Sequence, residues 1–99
     1  MQLPDSYRQI VTRLAREHMG PTVELWAYGS RVTGRAHDTS DLDLAVRRSD
    51  GGPVDPERLG RFRTALEDSD LPIFVDAHDW ACLPPSFLPA IEREHEVLG

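Results

Sequence analysis

Asp41 and Asp43 stand one residue apart in "SDLDLAV", and a third carboxylate, Asp76, follows in "IFVDAHD". Like charges that close repel one another, so a leucine-rich strand built only for stability would avoid them. Three carboxylates on one face suit a hard divalent cation such as Mg²⁺, which takes oxygen ligands and keeps waters or substrate phosphates in its other positions. Two such ions roughly 3.5–4 Å apart clamp the attacking and leaving oxygens of a phosphoryl or nucleotidyl transfer. In that arrangement Asp41 and Asp43 bridge the metals. Asp76 completes the second site beside the attacking hydroxyl and accepts its proton.

Gly29 and Ser30, separated from Asp41 by ten residues, supply the other half. Gly29 lets a backbone approach phosphate closely. Ser30 offers a hydroxyl and an N–H at the start of a short predicted helix, "RVTGRA", and a helix N-terminus favours anions. Arg31 or Arg35 is placed to steady a triphosphate. A lone Asp-x-Asp or Gly-Ser says little. The combination, with a third aspartate on a later strand, favours function over solvated turns. His18, His37, His78 and His95 lack the spacing of zinc ligands. His78 lies on the carboxylate face but reads as a bystander. Cys82 reads as a small apolar filler, and a single cysteine suits a reducing cytoplasm.

The elements that must position these residues follow from caps and periodicity. Ser6 and Gln9 form a capping box for a helix with Tyr7, Ile10, Val11, Leu14 and His18 on one face, stopped by Gly20-Pro21. "TVELWAY", "DLDLAVR" and "LPIFVDA" read as strands. Asp55 and Pro56 cap and open a helix with Leu59, Phe62 and Leu66 inward. Ser86 caps a last helix with Phe87, Ile91 and Leu98 inward. The class is therefore α/β or α+β with a small sheet.

Strand side chains alternate between faces. Val23, Leu25 and Ala27, Leu42, Leu44 and Val46, and Ile73, Val75 and Ala77 then share a face covered by helices. The opposite face holds Trp26, Tyr28, Asp41, Asp43, Phe74, Asp76 and His78. Trp26, Tyr28 and Phe74 either pack beneath another helix or form a partner surface.

The 99 residues suit a single domain spanning 1–99, and an apolar fraction of 39% with 28% charged residues suits a globular chain. No apolar run approaches the roughly 20 residues of a membrane span, and no secretory leader is expected. A net charge of -6 disfavours direct nucleic-acid binding and favours a basic protein partner or a metal-bound nucleotide.

"GSRVTGRAHDTSDLDLAV" resembles the Gly-Ser, ten-residue gap, Asp-x-Asp signature of the DNA polymerase β-like nucleotidyltransferase superfamily. In particular it is similar to the minimal nucleotidyltransferases, or MNT domains. The resemblance runs from the leading helix to a closing helix ending "IEREHEVLG". Val32, Thr33 and Arg35 stand where small or neutral residues are common, and no signature position is missing. The resemblance implies a small mixed sheet with helices packed on one face, and transfer of a nucleotide monophosphate, AMP from ATP, onto a hydroxyl. It implies that Gly29, Ser30 and Arg31 hold the triphosphate, and that Asp41, Asp43 and Asp76 hold two Mg²⁺ ions. MNT proteins are typically antitoxins whose partner is a HEPN-domain ribonuclease toxin, silenced by adenylylation of a tyrosine. A cytoplasmic hetero-oligomer follows. With about one helix after Asp76, the acceptor is expected to come from the partner. The rival readings are a binding module that masks its partner without catalysis, and a nucleotide sensor.

Overall fold

The computed structural model describes residues 3–34 and 41–99. Helix α1 (Asp5–Met19) buries Val11, Leu14, Ala15 and Met19, a stripe at three- and four-residue spacing. Tyr7, Ile10 and His18 lie half-buried along its edges. The expected capping box is not formed. The helix starts one residue before Ser6, and the carbonyl of Pro4 accepts from the N–H groups of Tyr7 and Arg8. Gly20 ends it at φ 78, its N–H donating to the Arg16 carbonyl.

Strand β1 (Val23–Tyr28), the single turn α2 (Ser30–Thr33) and strand β2 (Leu42–Arg48) come next. Helix α3 (Pro56–Glu67) is capped as expected, the Asp55 carboxylate accepting from the Glu57 N–H. Strand β3 (Val75–Asp79) starts four residues later than "LPIFVDA" predicts and runs two residues further. With a two-residue strand β4 (Glu96–Val97) near the C-terminus, the sheet has the order β3-β2-β1-β4, with β2 and β3 parallel and the other pairs antiparallel. A parallel pair needs a crossover, and α3 is that crossover.

Helices α1 and α3 cover one sheet face. All nine aliphatic residues assigned there by alternation belong to that core, Val23 and Ile73 at its margin. Phe62 of α3 is fully buried at its centre.

The opposite face is partly covered by the C-terminal segment, which departs from the single helix expected. After β3 come two 3₁₀ turns (Trp80–Cys82 and Pro85–Phe87), a short α4 (Leu88–Arg93) and a two-residue strand β4 (Glu96–Val97). Ser86 lies within a turn rather than capping α4, and Phe87 is 48% exposed rather than inward. Prolines 84, 85 and 89 divide the segment into short pieces. Leu98 is buried, but through pairing with β1: its N–H donates to the Leu25 carbonyl, and the Leu25 N–H donates to Gly99. An open β1 edge carries unpaired backbone groups, and residues 96–99 satisfy them.

A second cluster of Ala45, Trp80, Leu83 and Ile91 fills the space beneath this segment, with Trp26 and Tyr28 packed against it. Trp26 stacks on His95 at 3.9 Å and meets Trp80 edge-on at 5.2 Å, while the Arg47 guanidinium lies 4.9 Å from its ring. Trp26 and Tyr28 therefore pack under the C-terminal segment. Phe74 stays 54% exposed. Among the described residues no helix is long and apolar enough to cross a membrane.

Candidate active site

The strand register builds the site. Tyr28 pairs with Asp43 across β1 and β2, and Asp43 with Asp76 across β2 and β3, so the three form one row on one face. The next row holds Trp26, Ala45 and His78. Asp41 lies exposed just before β2, where the Leu42 N–H donates to the Phe74 carbonyl at 3.0 Å. Asp79, the other carboxylate of "VDAHD", falls on the opposite parity and is buried. It accepts from the N–H groups of Val54 at 3.1 Å and Ala81 at 3.0 Å, a structural task.

Electrostatics marks the row as strained by like charge. Burial raises the Asp43 acid above the ordinary carboxylate range, Asp76 and Asp41 raise it further, and His78 opposes them. Burial, then Asp43 and Asp76, push the Tyr28 phenol up to about 12, so it stays a neutral O–H donor at physiological pH. His78 Nε2 lies 2.9 Å from Asp76 Oδ2. The i+2 spacing of Asp76 and His78 along β3 puts both on one face.

Gly29 is held by two constraints. Its φ of +81 is one that L side chains rarely adopt, and an added Cβ would run into Asp43 Oδ2. Its carbonyl accepts from Val32 at 3.1 Å and Thr33 at 3.0 Å, starting α2 directly after the turn. Ser30 is the first residue of α2. Arg31 is buried, at 3% exposed. Arg35 lies outside the described residues. Beside the Gly29 turn opens a cavity of about 650 Å³ lined by Tyr28, Gly29, Phe87, Ala90 and Ile91 among others.

Carboxylate oxygens are the donors a hard cation takes, and the charge on Asp41 and Asp43, which form no ion pair among the described residues, is what such an ion would balance. As the side chains stand, no three His, Cys, Asp or Glu groups among the described residues close into a ligand set. The row is a juxtaposition of ligands rather than a finished cage. Cys82 is exposed, not the buried filler its composition suggests, and Asp79 raises its thiol above the usual range, which makes it a poor nucleophile.

Residues 10–98 match the sequence profile of the family described as polymerase beta, nucleotidyltransferase. The chain belongs to this family. The minimal nucleotidyltransferase domain so identified is 35% identical over 88 residues to the "Probable protein adenylyltransferase MntA" of Haemophilus influenzae, spanning 89% of this chain and 75% of that protein. Its fold matches a chain of a solved structure described as a toxin-antitoxin with AMP-PNP, at a TM-score of 0.68 and 22% identity, covering 93% of this chain and 72% of that one.

Proposed function

We propose that this nucleotidyltransferase moves AMP from ATP onto a tyrosine hydroxyl of a partner protein, a HEPN-type ribonuclease toxin, and so acts as its antitoxin in a cytoplasmic hetero-oligomer. The observation that carries the reading is the alignment of Asp43 and Asp76 in one register pair, with the Gly29 turn packed against Asp43. The likeness to a protein described as an adenylyltransferase supports the nucleotide and the protein acceptor. The fold match to a toxin-antitoxin chain supports the partner class.

In this reading Gly29 and Ser30 meet the triphosphate, the buried Arg31 that follows them adds positive charge rather than contact, and Asp41, Asp43 and Asp76 hold Mg²⁺. Two bound Mg²⁺ ions would neutralise the phosphates and the charge developing on the leaving pyrophosphate. The acceptor oxygen attacks the α-phosphorus, the bond to pyrophosphate breaks, and the acceptor proton passes to Asp76. His78 holds that carboxylate in place. Tyr28, kept protonated beside Asp43, adds no charge to the row.

The test is incubation with ATP, Mg²⁺ and the partner, read by intact mass. The wild-type chain should add the mass of one AMP to a partner tyrosine. The double variant Asp41→Asn/Asp43→Asn should bind the partner but add nothing, and should no longer protect cells expressing it. Full protection by the double variant with no mass gain would replace catalysis with masking.

A further inference from the structure

We infer that Phe74 is the surface on which the ring of the acceptor tyrosine packs, and that the partner segment carrying that tyrosine is basic. This inference rests on the transfer reading above and adds what holds the tyrosine at Asp76.

Alternation along the segment entering β3 sends Ile73 and Val75 toward the core and turns Phe74 out, on the face that carries Asp76 and His78. The Leu42 N–H donates to the Phe74 carbonyl, which continues the β2–β3 ladder and sets Phe74 level with Asp41. Phe74 is thus flanked by Asp76 along its own strand and by Asp41 on the neighbouring one. It belongs to neither apolar cluster, and its ring is more exposed than any other large hydrophobic among the described residues. Because β3 is the edge strand of the described sheet, the approach to Phe74 is open on that side.

Residues two apart on a strand are separated by about 6.6 Å, the scale of a phenol ring. A tyrosine whose hydroxyl gives its proton to Asp76 therefore lays its ring on Phe74 and buries it. Serine and threonine could reach the same carboxylate but have no ring to offer Phe74. The strand edge itself is closed at Ala77, a buried residue whose carbonyl already accepts from Arg63 Nε at 2.8 Å, so the contact falls to side chains rather than to a paired backbone. Charge selects the partner. The run "EDSDLPIFVD", residues 67–76, carries four carboxylates and no cation. Because β2 and β3 are parallel, it enters the sheet at the end where Asp41 leads into β2. A second copy of this chain would bring an equally acidic face against it, whereas a basic segment is complementary.

Initial rates of AMP transfer to the HEPN-type partner, at saturating ATP and Mg²⁺ and read by intact mass, give KM and kcat for the acceptor. Phe74→Ala should raise the partner KM on the order of tenfold, as loss of an aromatic pair and its buried area does. Its kcat and its calorimetric affinity for ATP should stay at wild-type values. Phe74→Trp keeps a ring and should stay near the wild-type KM. For the wild-type chain the partner KM should also rise with salt. Phe74 is exposed, so melting temperatures should hold. The inference is overturned if Phe74→Ala leaves the partner KM unchanged, if it weakens ATP to the same degree, if Phe74→Trp fails like Phe74→Ala, or if the KM is indifferent to salt. A change in the chain's own oligomeric state with Phe74→Ala would overturn it too, by assigning the surface to a second copy. No transfer by the wild-type chain would instead sink the nucleotide-transfer reading, and this inference with it.

Discussion

Asp43→Asn should stabilise the protein. The substitution keeps the shape of the side chain and removes its charge from beside Asp76 and Asp41. Because burial and those carboxylates raise the Asp43 acid in the folded chain, the native state binds that proton more tightly than the unfolded state. Ionised Asp43 therefore lowers stability above its titration range, and the penalty disappears as pH falls through that range. Adjacent strands lie about 4.8 Å apart, and two charges near that separation interact by about 1 kcal/mol in water. Asp43 is only half-buried, so solvent screening keeps the net effect at or below that figure. A domain of this size shifts its Tm by roughly 4–8 °C per kcal/mol. The variant should thus melt a few degrees above wild type at pH 7 in metal-free buffer, by circular dichroism. The gap should narrow in acid, and in 1 M salt, where the Debye length falls to about 3 Å. A variant that melts lower at pH 7, or a gap indifferent to both pH and salt, would refute the claim of unrelieved repulsion.

Gly29→Ala should lose stability by about 1–2 kcal/mol from its left-handed backbone, and more from the collision with Asp43; Gly34→Ala, also at positive φ but with nothing within 4 Å, should lose only the first part. Equal melting temperatures for the two would remove the Gly29–Asp43 contact from the account. Tyr7 and Tyr28 are the two tyrosines of the chain, so the Tyr7→Phe variant offers a clean ultraviolet titration of Tyr28, in which phenolate should emerge only near pH 12. A phenol with a raised folded pKa contributes a loss of stability as pH climbs above its unfolded value of about 10, and Tyr28→Phe should flatten that alkaline decline. Asp79→Ala should cost about 1–3 kcal/mol by stranding the N–H groups of Val54 and Ala81, yet leave ATP binding intact, whereas Asp76→Asn, which relieves the repulsion on Asp43 but gives up the charge beside His78, should stay close to the wild-type Tm and lose transfer.

What could be read from sequence was what is local. Period-two alternation assigned the nine core aliphatics and put Asp43, Asp76 and His78 on one face, because each strand carries that pattern by itself. Gly20 and Asp55-Pro56 marked helix ends through their own backbone chemistry. Pairing partners were not legible, so the step from a shared face to the Asp43–Asp76 register needed the fold. The C-terminal segment misled for the same reason. Ile91 and Leu98 share a helical period, yet Leu98 is buried by the distant Leu25, and α4 begins only at Leu88, after Pro84 and Pro85 and two residues past the cap expected at Ser86. Arg47 gave no signal either. Its guanidinium lies over Trp26 and Trp80, rings that come together only when β2 meets the chain's last quarter.

The pairing of residues 96–99 with β1 also sets an order of events. Leu25 and Leu98 close the longest loop in the sheet, and contacts so distant in sequence form late. During synthesis α1, β1, β2 and α3 can collapse around Phe62 while the outer edge of β1 remains bare. Until residues 96–99 emerge from the ribosome, that edge is a template for any other extended chain, and the wall carrying Phe87 and Ile91 has no anchor. A nascent chain stalled a few residues short would hold a nearly complete main core and an unanchored second cluster around Trp80 and Ile91.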